Sequence, residues 1–100
     1  MKIYLSADME GTAGIIDWKE TTAEHPQYAY FQQQMTREVA AACQGALAAG
    51  AAEILVKDAH DSARNIIPAE LPEKTRLFRG WDDGPNVMMA GLDESFGGVL

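Results

Sequence analysis

Four side chains carry the chemistry of this sequence: Asp8, Glu10, Asp58 and His60. They come as two pairs with the same i, i+2 spacing, Asp8-Met9-Glu10 and Asp58-Ala59-His60, each behind a short apolar run. Side chains two apart on an extended backbone project to the same side. Like charges that close repel, so the Asp8–Glu10 pair suits a cation better than bare water. Three carboxylates and an imidazole make an oxygen and nitrogen donor set suited to Zn²⁺, Mn²⁺ or a similar divalent ion. Asp8, Glu10 and His60 are the candidate ligands. Asp58 is expected behind them, supporting the site or accepting a backbone amide at a strand end. A bound ion of this kind acidifies its water and polarises a carbonyl, which makes hydrolysis the natural reaction class.

Such a corner needs two strands that end on one edge. Ile3-Tyr4-Leu5 and Ile54-Leu55-Val56 are short runs of β-formers. Between them Tyr28, Phe31, Met35, Val39, Ala42, Ala46 and Ala49 recur at spacings of three and four, with Cys43 and Leu47 widening the stripe. That is the pattern of one buried helix face. Thr21-Thr22-Ala23-Glu24 has the form of a capping box, His25-Pro26 opens the helix, and Gly50 is placed to close it. Strand, long helix and strand make a βαβ unit with parallel strands, and open α/β sheets bind ligands at the carboxyl edge. The expected fold is α/β, three-layer α/β/α, with a mainly parallel sheet.

Further on, residues 61–71 could hold a short helix broken by Pro68 and Pro72, and Thr75 to Arg79 a third strand. Gly80 to Pro85 reads as a turn, and Val87 to Leu92 as a short helix with Met88 and Met89 in the core. The loop from Thr12 to Trp18 carries apolar residues expected to fold over a core edge or a pocket. Asp17, Glu20 and Glu24 read as a solvated acidic loop, Asp82-Asp83 as turn chemistry, His25 as a surface residue and Cys43 as a buried small hydrophobe. Ser62 and Arg64, just past His60, are weaker candidates for touching a substrate. Phe96 to Leu100 reads as a strand beginning, so residues 1–100 are expected to be the N-terminal part of a single α/β domain that continues beyond them.

With 100 residues the chain is one domain's worth. A formal net charge of −7 argues against nucleic acid or an anionic membrane as partner. A lone cysteine excludes an internal disulfide, and no apolar run approaches the ~18 residues of a membrane span. A cytoplasmic location is the default expectation.

Ser6-Ala7-Asp8-Met9-Glu10-Gly11, with Asp58-Ala59-His60 after the next strand, resembles the zinc-dependent D-aminopeptidases of the dipeptide-transport operon type. The similarity runs through the chain, including Met35-Thr36 and Gly91-Leu92-Asp93, and covers the first part of a family member. It implies zinc ligation by Asp8, Glu10 and His60, with Asp8 shared by two zinc ions per complete subunit. It also implies a catalytic histidine and further ligands beyond Leu100, a short peptide substrate and a decameric ring of identical subunits. A rival reading starts from Asp8-Met9-Glu10-Gly11-Thr12, which resembles the opening motif of haloacid-dehalogenase-type phosphatases with Asp8 as nucleophile. There Glu10 stands where an aspartate is expected, and His60 has no role. A non-catalytic metal-binding or assembly module, pairing through the edge near Phe96 to Leu100, is the third reading.

Overall fold

The strand that the others are built around is β1, Lys2–Ala7. A computed structural model describes residues 1–100. β2 (Glu53–Asp58) pairs with β1 in parallel, with Ile3 opposite Ile54 and Ala7 opposite Asp58. β3 (Thr75–Phe78) adds in parallel outside β2, and β4 (Gly98–Val99) adds in parallel on the far side of β1. The sheet order is β3-β2-β1-β4. Between β1 and β2 runs α1, Tyr28–Ala48. The expected βαβ unit and parallel α/β sheet are therefore present.

Alternation along β1 assigns its faces. Leu5 and Ala7 join Phe31, Met35, Val39 and Cys43 of α1, and Ile54 and Val56 of β2, in the main core, with Ile3 packed at its margin. Burying each large side chain there contributes roughly 1.5–3 kcal/mol. On the opposite face, Tyr4 donates its hydroxyl to the Ala90 carbonyl (2.8 Å) and meets the Phe96 ring edge-on, while Ser6 Oγ donates to the Met88 carbonyl (2.7 Å). The layer on that side is irregular, built on the single 3₁₀ turn Val87–Met89. Gly91 holds a φ of +88° there, and a Cβ on it would stand 3.2 Å from Leu55 and 3.4 Å from Phe78. Glycine lets this layer lie flat on the sheet.

Several local expectations are corrected. α1 begins at Tyr28 without a side-chain cap, so Thr21 and Glu24 form no capping box. The box belongs to Asp17 and Glu20, which cap the 3₁₀ helix Trp18–Thr21 and leave Glu20 buried rather than solvated. Of the apolar loop only Ile15 packs on the core; Ile16 and Trp18 are 94% and 77% exposed. The segment 61–71 holds only the turn Pro68–Glu70. Met88 is exposed and Met89 half-buried, because the backbone carbonyls of their turn, not their side chains, face the sheet. His25 stays at the surface with its Nδ1 accepting from Gln27 N, and Cys43 is fully buried.

Gly50 closes α1 as the spacing predicts. Ala51 N–H donates to Ala46 O and Gly50 N–H to Leu47 O, both 3.0 Å, with Gly50 at φ +101°. This is the paired closure that a left-handed residue permits. A Cβ at Gly50 meets nothing within 4 Å, so an alanine there strains only the backbone. Gly50→Ala is expected to lower stability by roughly 1 kcal/mol. Urea denaturation should show a lower midpoint with the slope unchanged; an unmoved midpoint would contradict the assignment.

Candidate metal centre

β1 ends at Ala7, and the chain does not stay extended past Asp8. Asp8 caps the 3₁₀ turn Met9–Gly11, its Oδ1 accepting from Met9 N at 2.9 Å. The turn swings Glu10 back, so Asp8 and Glu10 converge through a capped turn and not through strand alternation. Across the gap, Ala59 N–H donates to Ala7 O (2.9 Å), carrying the ladder one step beyond the paired strands. His60 then emerges opposite Asp8. Its Nδ1 stands 3.0 Å from Asp8 Oδ1 and 3.1 Å from Glu10 Oε2.

The other ring nitrogen decides what Nδ1 can be. His60 Nε2 is 2.7 Å from the Thr21 carbonyl oxygen. A carbonyl only accepts, so Nε2 carries a proton. In the neutral ring Nδ1 is therefore a lone pair aimed at two carboxylates, an arrangement satisfied by a cation or by a second proton on the ring. One donor atom each from Asp8, Glu10 and His60 lie within 4.8 Å of one another. Zn²⁺ at ~2.0–2.1 Å from oxygen and nitrogen in a tetrahedral shell spaces its ligands by about 3.3 Å. The donor types and the two separations from Nδ1 fit that ion. The imidazole is the floor, with a side-chain exposure of 7%, and the carboxylates at 44% and 32% form the rim. A cleft of about 480 Å³ opens over them, lined also by Thr21, Thr22, Glu24, Ala59 and Asp61.

Asp58 does not join this corner. Its carboxylate is fully buried and turned inward, where Oδ2 accepts from Asn65 N (2.6 Å) and Ile66 N (2.7 Å), and Oδ1 from Asn65 Nδ2 (2.9 Å). It accepts backbone amides as expected, and it also stands behind the site, since Asn65 Nδ2 joins its Oδ1 to the His60 carbonyl. Neither Ser62 nor Arg64 lines the cleft, and Trp18 neither lines it nor packs on the core. Two residues that matter were not singled out from sequence. Thr21 acts through its carbonyl, for which no residue type is a signal. Lys57 is fully buried without a carboxylate partner; its ammonium donates to the carbonyls of Asp58 (2.7 Å) and Gly80 (2.6 Å) and lies over the rings of Trp81 and Phe78. Burial pushes its pKa down.

A parallel α/β sheet with two carboxylates and an imidazole gathered at its carboxyl edge, under a polar cleft, defines a class: α/β proteins with a candidate metal site at the strand ends. Comparison with known proteins narrows it. The chain belongs to the D-aminopeptidase family of peptidases, whose sequence profile matches residues 1–100. It is 34% identical over 100 residues to a D-aminopeptidase of Bacillus subtilis (strain 168), covering 100% of this chain and 36% of the relative. Its fold is similar to that of the Zn-dependent D-aminopeptidase DppA from Bacillus subtilis, described as a self-compartmentalizing protease. The TM-score is 0.92 at 33% identity, over 99% of this chain and 36% of that one. The chain thus spans about a third of the length of the relatives it matches.

The electrostatics of the corner make a pH prediction. Burial works against a charged His60, but the Thr21 carbonyl and the Glu10 and Asp8 carboxylates outweigh it and raise the pKa above its ordinary 6.5. Glu10 is raised too, by burial first and by Asp8 next. A group whose pKa rises on folding stabilises fully below its unfolded value and stops doing so as pH climbs through the folded one. In the presence of a chelator, stability is therefore expected to fall as pH rises from the ordinary imidazole value, about 6.5, through the raised His60 pKa. With Zn²⁺ the trend should reverse, because protons compete with the ion. Urea midpoints across that range, with and without chelator, check both slopes. Two parallel curves would count against the Asp8–Glu10–His60 cluster as the source.

Proposed function

We propose that the complete protein carrying this sequence is a zinc-dependent aminopeptidase that removes N-terminal D-amino acid residues from short peptides. In it, Asp8, Glu10 and His60 hold zinc. The observation that carries this reading is the His60 ring, whose Nε2 is committed to the Thr21 carbonyl while Nδ1 faces both carboxylates. Family membership supports the peptidase activity, and the name of the similar DppA structure supports the metal. When bound, zinc supplies Lewis acidity, lowering the pKa of a water and polarising a peptide carbonyl.

This chain's own residues do the positioning. Thr21 holds the imidazole in one tautomer, the Met9 amide holds the Asp8 carboxylate, and the open rim admits a peptide end. Asp8 is the residue suited to serve two ions, because the Met9 amide and the His60 Nδ1 both meet Oδ1 and leave Oδ2 over. Three donors are fewer than two ions require. The remaining ligands and the catalytic histidine are proposed to come from the part of the family that lies outside residues 1–100. Assembly into a closed ring of identical subunits, a decamer, is proposed from the same relatedness. The phosphatase alternative gives His60 no role and has no observation in its favour.

In the complete protein, Asp8→Asn and His60→Ala are each expected to empty at least one zinc position by elemental analysis. Each should also cut hydrolysis of a dipeptide with an N-terminal D-residue by at least about a hundredfold, the upper end of the loss that disturbing a ligand's support alone produces. Unchanged zinc content and rate in both variants would end the assignment.

A further inference from the structure

Asn65 is 97% buried, at 3% exposure, and every polar atom it owns is engaged. Its backbone N–H donates to Asp58 Oδ2 (2.6 Å) and its carbonyl accepts from Gln32 Nε2 of α1 (2.8 Å). Its side-chain Oδ1 accepts from the Tyr28 hydroxyl (2.5 Å). The two hydrogens of Nδ2 go to Asp58 Oδ1 (2.9 Å) and to the carbonyl of His60 itself (2.6 Å). The side chain thus ties together the start of α1, the end of β2 and the main chain of the imidazole residue.

The segment it closes needs such a tie. Directly after His60, Asp61 and Ala63 hold φ of +48° and +56°, left-handed conformations that strain a residue bearing a side chain. The Ala63 N–H turns back onto the His60 carbonyl at 2.7 Å, so that carbonyl takes two donors, one from the strained loop and one from Asn65. Without Asn65 the loop keeps a reason to relax and loses the clamp that opposes it. A shift of the His60 backbone moves Nδ1 with it, and the two carboxylates at 3.0 and 3.1 Å leave little room for error.

We propose that Asn65 is the positioning residue for His60: its side-chain amide grips the His60 carbonyl and the Asp58 carboxylate together, and so sets where the imidazole nitrogen stands between Asp8 and Glu10. This rests on the reading of Asp8, Glu10 and His60 as zinc ligands. An aspartate at 65 keeps the shape but turns a donor into an acceptor facing the Asp58 carboxylate and the His60 carbonyl. Tyr28→Phe is the milder probe, removing only the hydroxyl that holds Oδ1 in place.

The test uses the complete protein as the parent, Asn65→Asp and Tyr28→Phe, each stripped and titrated with Zn²⁺ against a competing chelator, and each loaded with Co²⁺ for its visible spectrum. Asn65→Asp is expected to weaken zinc binding by about 10- to 100-fold and to change the cobalt bands. Its kcat should fall more than its KM for peptide changes. Tyr28→Phe should shift affinity and spectrum less, in the same direction. Folded variants with parental zinc affinity and parental cobalt bands, differing only in Tm, would overturn the proposal. If Asn65→Asp does not fold, Tyr28→Phe decides alone, and parental values there overturn it. A parent that takes up no zinc would sink the ligand reading itself, which is a distinguishable result.

Discussion

One constraint stands under the whole arrangement: β1 and β2 run parallel in a register that sets Ala7 beside Asp58. Slip that register by a residue and every side chain on one strand changes face. Reverse the direction of β2 and His60 leaves the edge altogether. The register is enforced from both faces, since Leu5, Ala7, Ile54 and Val56 must meet α1 while Tyr4 must reach the Ala90 carbonyl on the other side. The hydrophobic core is thus also the jig for the polar corner. The 21 residues of α1 span the connection that a parallel pair demands.

The parts of this fold legible in the sequence are those written in periodicity. Spacings of three and four gave the face of α1, and its closing glycine was visible because left-handed backbone has few other hosts. The convergence of Asp8, Glu10 and His60 was legible too, but for a reason only half right. Alternation along an extended strand is expected to deliver both pairs; a capped turn brings Glu10, and β2 ends at Asp58, whose carboxylate turns inward to the Asn65 and Ile66 amides while His60 follows outside the strand. Local patterns failed where several candidates compete in one stretch. Thr21 to Glu24 matches a capping box as well as Asp17 to Glu20 does, and the choice shows only where the elements start, the 3₁₀ helix at Trp18 and α1 at Tyr28. Asn65 left no trace, because a hub of five hydrogen bonds reads as an ordinary loop asparagine until its partners from three elements are assembled.

Around the His60 loop the molecule has concentrated both strain and restraint. Asp61 and Ala63 sit in left-handed conformations, and the exit of β3 holds them there: Gly80 N–H donates to Ala63 O (2.8 Å) and Trp81 Nε1 to Asp61 O (2.7 Å). Lys57 fixes that exit in turn, spending its buried ammonium on Gly80 O and two aromatic faces. An unpaired buried charge is costly unless its hydrogens are well placed, so this group tolerates little movement of the segments it joins. Asn65 works from one side of the loop and Lys57 from the other. The edge carrying the chemistry is consequently its most over-determined region, whereas Ile16 and Trp18, a few residues from Thr21, are held out to solvent.

The partner that chooses the His60 tautomer is a main-chain oxygen, and that has a consequence for how such a site can drift. Every amino acid brings the same carbonyl to position 21, so no exchange of side chain there erases the acceptor. Heredity can tamper with it only through the path of the loop, by loosening the Asp17–Glu20 cap that shapes it. The element most decisive for the chemistry is thereby the one least visible to point mutation.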